Sequence, residues 1–154
     1  MSNFDFLKQN KIFDNFSESC IEAENGIGLN TVTCSILCRR ALELGVKWLY
    51  ANDNDLTIPY QDNLSALVHD ITFKNIIDEK LLKQIEYIIK LGNFAVHNNK
   101  KISREEAILS LKYLYNFMQW IAYCYSDNFE EKEFDESILQ TQSVNVLAVK
   151  ERES

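Results

Sequence analysis

Apolar side chains return at intervals of three and four along most of the chain, the spacing of residues that share one face of an α-helix. Phe4, Phe6, Leu7, Ile12, Phe13, Phe16, Cys20 and Ile21 form the first such run and predict an amphipathic helix over residues 3–24. "ENGIGLN" (24–30), with its glycines and asparagines, closes it. Asn30 or Thr31 can cap a second helix reaching about Ala51, which turns Cys34, Leu37, Cys38, Ala41, Leu42, Trp48 and Leu49 toward a core. "NDNDLTIPY" (52–60) reads as a loop, because Asn and Asp favour turns and Pro59 cannot sit inside a helix.

A short third helix is expected from Asp62 to about Phe73. Asp78 can cap a fourth that carries Leu81, Leu82, Ile85, Ile88 and Ile89. Ser103 followed by Glu106 is a capping box, and it starts a fifth helix reaching about Tyr125. That helix bears two apolar stripes, Ala107-Leu111-Leu114-Met118-Ile121-Tyr125 and Leu109-Tyr113-Phe117-Trp120-Cys124, with only Lys112, Asn116 and Gln119 between them. A helix this apolar is buried on more than one side. It is either central in the bundle or also faces a partner.

The pattern therefore predicts an all-α fold, an antiparallel bundle of about five helices over residues 1–128. "DNFEEKEFDES" (127–137) is acidic and poor in core residues, so residues 129–154 read as an irregular acidic tail or linker leading to another domain. The β-branched run Val144–Val149 within it cannot be a stable strand alone, and would have to join another sheet, stay disordered or be the start of a further domain.

Composition narrows the function. A chain of 154 residues can bury a core without metals or disulfides. Sixteen basic against twenty-three acidic residues, a net charge of −7, argue against a stand-alone nucleic-acid binder. Arg39-Arg40 and Lys100-Lys101 read as solvated faces. Cys20, Cys34, Cys38 and Cys124 lack metal-site spacing and read as free core thiols. With no signal peptide and no run long enough to span a membrane, a cytoplasmic protein without a membrane partner is expected.

No phosphate loop, dinucleotide fingerprint, nucleophile elbow or zinc spacing occurs. Two constellations remain. In "KLGNFAVHNN" (90–99), Gly92 costs a helix about 1 kcal/mol against alanine, which implies close helix packing or a break. Asn93 and His97, four apart, share a face. On the second helix Arg39, Glu43 and Lys47 form an i, i+4 ladder; were Glu43 turned inward, Arg39, Asn93 or His97 would have to partner it. His97 is open to two readings, a hydrogen-bonded structural histidine or a general base. His69 is assigned no role.

"RRALELGVKWLY" (39–50), "IIKLGNFAVH" (88–97) and "SREEAILSLKYLYNFMQWIAYCY" (103–125) together resemble a bacterial helical domain related to the HEPN superfamily. The opening "SNFDFLKQN" (2–10) narrows this to a resemblance to the N-terminus of the R (restriction) subunit of type I restriction enzymes. The likeness spans roughly residues 2–130 and implies an antiparallel helical bundle. It also implies a non-catalytic scaffolding role beside the rest of the R subunit and the methylation and specificity subunits. DNA would be met through the parent complex, and ATP and Mg2+ would serve the parent hydrolase, with no cofactor on this chain.

In catalytic HEPN ribonucleases an arginine precedes the histidine, and its register here falls on Ile89 or Lys90. Lysine lacks the planar fork that clamps a phosphate, so the resemblance implies a structural cluster of Arg39, Glu43, Asn93 and His97 tying the fourth helix to the second. The alternative is a free-standing HEPN-type ribonuclease or toxin-like protein. It would work as a homodimer, with His97 as general base and Lys90 or Arg39 on phosphate.

Overall fold

The computed structural model describes residues 1–97 and 101–139. Among these the fold is all-α: α1 (Asp14–Gly26), α2 (Thr31–Asn52), α3 (Leu64–His69), α4 (Ile71–Ile76), α5 (Glu79–His97) and α6 (Arg104–Tyr125). The β-branched run Val144–Val149 lies outside the described residues.

Polar side chains set where the helices begin, by accepting a hydrogen bond from a backbone N–H that has no partner within the helix. The side chain of Asn30 accepts from Thr33 N at 2.7 Å and that of Asp78 from Leu81 N at 2.7 Å. Ser103 and Glu106 form the full capping box. These are the starts expected for the second, fourth and fifth predicted helices.

Two expected helices differ. Residues 3–24 are not one helix: two 3-10 turns, Asp5–Gln9 and Lys11–Phe13, precede α1. Asn10 is extended between them (φ −133°, ψ 117°), and its side chain accepts from Ile12 N. The apolar spacing continues through this break because 3-10 and α turns repeat at similar intervals. The third predicted helix splits into α3 and α4 at Asp70, which is extended (φ −65°, ψ 144°) and accepts from Thr72 N.

Two hydrogen bonds fix the sense of the bundle. Thr31 Oγ1 at the start of α2 donates to Ile102 O beside the start of α6, at 2.7 Å, and Tyr125 OH at the end of α6 donates to Asp53 just past α2. The pair α2 and α6 thus run the same way, with α1 and α5 reversed, the relation of alternate helices in an up-down-up-down bundle. Trp48 on α2 meets Phe13, Phe16 and Tyr125 edge-on at 5.5–5.7 Å, closing one end of the core.

Of the second predicted stripe of α6, Phe117 is buried, Leu109, Tyr113 and Trp120 are half-buried and Cys124 is exposed; the face covered by the chain's own ends is another one, at Tyr115 and Tyr123, which neither stripe includes. Phe4 and Phe6 meet the Tyr115 ring at 5.8 and 5.7 Å, Phe134 meets it at 5.4 Å, and Phe129 lies against Tyr123. Tyr115 OH donates to Lys132 O, Lys112 pairs with Glu136, and Leu139 is buried. The tail is irregular through residue 135, as expected, but residues 129–139 strap the bundle, so the packed unit continues past the expected boundary at 128.

Asn3 joins this strap to the other end of the chain. Asn3 donates from its main-chain N and its Nδ2 to the carboxylate of Glu24, which is fully buried in α1. The same Asn3 exchanges side-chain bonds with the main chain of Asp135, at 3.0 and 2.7 Å.

Ser110, buried in α6, has a hydroxyl without a partner among the described residues. Ser110→Ala removes that desolvated group at little change in volume and raises helix propensity. It is expected to raise stability by about 1 kcal/mol in urea unfolding. A loss of stability would mean the hydroxyl is satisfied.

Candidate functional site

The residues singled out by sequence lie on α2 and α5, which pack against each other. Their junction is set by Gly92. A Cβ placed there would stand 2.6 Å from Arg39 Cβ and 2.8 Å from Arg39 Cδ, so the stem of Arg39 occupies the space a side chain would need. Gly92 is the close-packing residue its cost implied.

Beyond this contact Arg39 turns along its own helix. Its Nη1 is 3.8 Å from Glu43 Oε2, and Glu43 Oε1 is 3.1 Å from Lys47 Nζ. The side chains of Arg39 and Glu43 remain about one-third exposed. The ladder is therefore a half-buried surface feature whose ion pairs stabilise by a few tenths of a kcal/mol each. Arg39 Nε is enclosed without a partner among the described residues.

The polar cluster expected from Arg39, Glu43, Asn93 and His97 does not form as a unit. Arg39 and Glu43 come together, but Asn93 and His97 are exposed on α5, and no hydrogen bond joins either to α2 among the described residues. Successive helical positions are turned by about 100°. Once Gly92 faces α2, Asn93 and His97 are carried round to solvent. Lys90 is exposed as well, while Ile89 is buried at the other position of the implied arginine. The junction holds a packing seam and a charge ladder, with the candidate base outside both.

His69 has partners that sequence gave no sign of. Its Nδ1 lies 2.8 Å from Ser65 O and its Nε2 3.7 Å from Glu86 on α5, so it ties α3 to α5. Glu86 is seventeen residues away on another helix, beyond any local pattern. Cys20, Cys34 and Cys38 are buried free thiols as expected, whereas Cys124 is exposed near the end of α6. A hydrogen bond with Cys38, then burial, hold the Cys34 thiol far above its ordinary range, and burial raises that of Cys20. Such thiols are inert. Among the described residues no group of His, Cys, Asp and Glu side chains is arranged to hold a metal ion, and no helix is long and apolar enough to cross a membrane.

Against known proteins, residues 22–143 match the model of a family described as Domain of unknown function (DUF4145). The chain belongs to this family. The DUF4145 match takes in α2 through α6, the Arg39–Gly92 seam and the strap, and leaves the two N-terminal 3-10 turns outside it. No curated protein and no solved structure matches the chain.

Proposed function

We propose that this DUF4145 chain is a non-catalytic interaction module, the N-terminal helical domain of the R subunit of a cytoplasmic type I restriction enzyme. The observation that carries this reading is the division of labour within "KLGNFAVHNN". Gly92 serves packing against Arg39, Asn93 and His97 lie on the solvent side of α5 without a bond to α2 among the described residues, and the register where HEPN-type chemistry needs an arginine holds a buried Ile89 and an exposed Lys90. The three stretches that carry the resemblance coincide with α2, α5 and α6, the packed heart of the bundle. On this reading ATP and Mg2+ serve the motor and nuclease of the parent, DNA is met through the whole complex, and the partners are the methylation and specificity subunits.

The test is made on the full natural chain. It is expected to co-elute with the methylation and specificity subunits, and to leave RNA uncut above a buffer control. A ribonuclease using His97 as general base predicts the opposite: cleavage that falls about 100-fold or more in His97→Ala. RNA cleavage with that dependence, together with failure to co-elute, would replace the module reading by the ribonuclease one.

A further inference from the structure

The loop between α2 and α3 is held firmly at both ends and exposed in the middle. Tyr125 OH fixes Asp53, Asp53 in turn accepts from Asp55 N at 2.8 Å, and Leu56 and Leu64 are buried. Thr57 N donates to Thr72 Oγ1 at 3.2 Å, which pins the loop to the first turn of α4, and Thr72 is itself held by Asp70. Immediately beside that contact the apolar side chains point outward. Ile58 is 62% exposed, Ile71 is 67% exposed, and Tyr60, behind the rigid Pro59, is fully exposed. Binding residues are disproportionately carried on exposed loops held by a rigid scaffold.

The charge around this knuckle is mainly negative. From Trp48 to Lys74 the chain has four aspartates, Asp53, Asp55, Asp62 and Asp70, against one lysine or arginine, the exposed Lys74 one turn after Ile71 on α4. Asp55 and Asp62 are exposed on either side of the Ile58-Pro59-Tyr60 tip. Such a rim repels nucleic acid and anionic lipid. It also disfavours a second copy seated through the cleft of about 770 Å³ between the N-terminal turns and the strap, where Asp5, Glu130, Glu131 and Asp135 outnumber Lys132.

We infer that the Ile58–Tyr60–Ile71 knuckle is a docking surface for a protein partner that offers an apolar socket rimmed by lysine or arginine. Tyr60 is the anchor, an aromatic group with few rotors on a loop fixed at both ends, and the aspartates set orientation and encounter rate. This goes beyond the proposed function and stands without it, because it rests on the loop alone.

The experiment places the photo-crosslinker p-benzoylphenylalanine at Tyr60 in the full natural chain, in its own cells, with the same residue at exposed Glu18 as control. A discrete protein adduct is expected whose crosslinked peptide maps to an apolar site bordered by basic residues. Its yield should fall about tenfold with Asp55→Lys plus Asp62→Lys, and likewise with Ile71→Glu on a separate element. The charge-matched pair Glu22→Lys plus Glu105→Lys should leave it unchanged. The inference is overturned by adducts only to a second copy, lipid or nucleic acid, by a yield at Tyr60 no higher than at the control, or by a yield indifferent to Asp55, Asp62 and Ile71.

Discussion

Glu24→Ala lowers stability by about 3 kcal/mol, a fall of roughly 9 °C in melting temperature for a chain of this size. The carboxylate is fully buried and accepts from Asn3 N at 3.1 Å and Asn3 Nδ2 at 2.8 Å. Removing it strips charge-assisted bonds from both donors and leaves a gap in the α1 face of the core. The loss reaches across the molecule, because Asn3 also holds the main chain of Asp135. Limited proteolysis is therefore expected to cut faster within both 1–13 and 129–139. Asn3→Ala keeps its main-chain donor to Glu24 while losing the Nδ2 bond and both bonds to Asp135, so it should cost about half as much. In the double variant the two losses fall short of their sum, as expected of residues in contact. Faster cleavage at the N-terminal turns alone, with the strap as resistant as before, would show that Asn3 does not couple the two.

Much of this architecture is legible in sequence, and what is not has identifiable causes. Asn30, Asp78 and Ser103 stand before long apolar periodicities, so cap and pattern agree on where α2, α5 and α6 begin. Asn10 and Asp70 are equally good caps, but they interrupt runs whose apolar spacing continues across them, and the pattern conceals the break. Glu24 reads locally as part of a polar face, since its partner Asn3 lies in a non-helical turn that folds back over α1. Phe129 and Phe134 look isolated among carboxylates. What they cover is Tyr115 and Tyr123, which lie outside both apolar stripes read along α6, so the pattern offers them no target. Spacing also places Asn93 and His97 together without saying which way they turn. That orientation is decided by Gly92, the one position on this stretch of α5 where α2 comes too close for a side chain.

Gly92→Val is expected to destabilise the bundle by about 3 kcal/mol and Gly92→Ala by about 1 kcal/mol, against a helix propensity that favours alanine over glycine by about 1 kcal/mol. Overpacking decides the sign. A new Cβ would lie 2.6 Å from Arg39 Cβ, an atom one bond from the backbone of α2 that cannot swing aside, so α5 has to back away from α2. Gly45 supplies the contrast within the same protein. A Cβ there meets the Met118 Cε methyl at 3.0 Å and Phe117 Cε2 at 3.2 Å, and the methionine end is flexible enough to yield. Gly45→Ala should accordingly lie within about 0.5 kcal/mol of the parent. Pairing Gly92→Ala with Arg39→Ala clears the Cγ and Cδ contacts but leaves the Cβ one, so only part of the stability returns; Arg39→Gly relieves the remaining contact at the propensity cost of a glycine in α2. Urea unfolding of these variants measures how close α2 and α5 must lie. If Gly92→Ala proves as stable as Gly45→Ala, the seam is looser than Arg39 and Gly92 require, and the orientation of Asn93 and His97 must be set by other contacts.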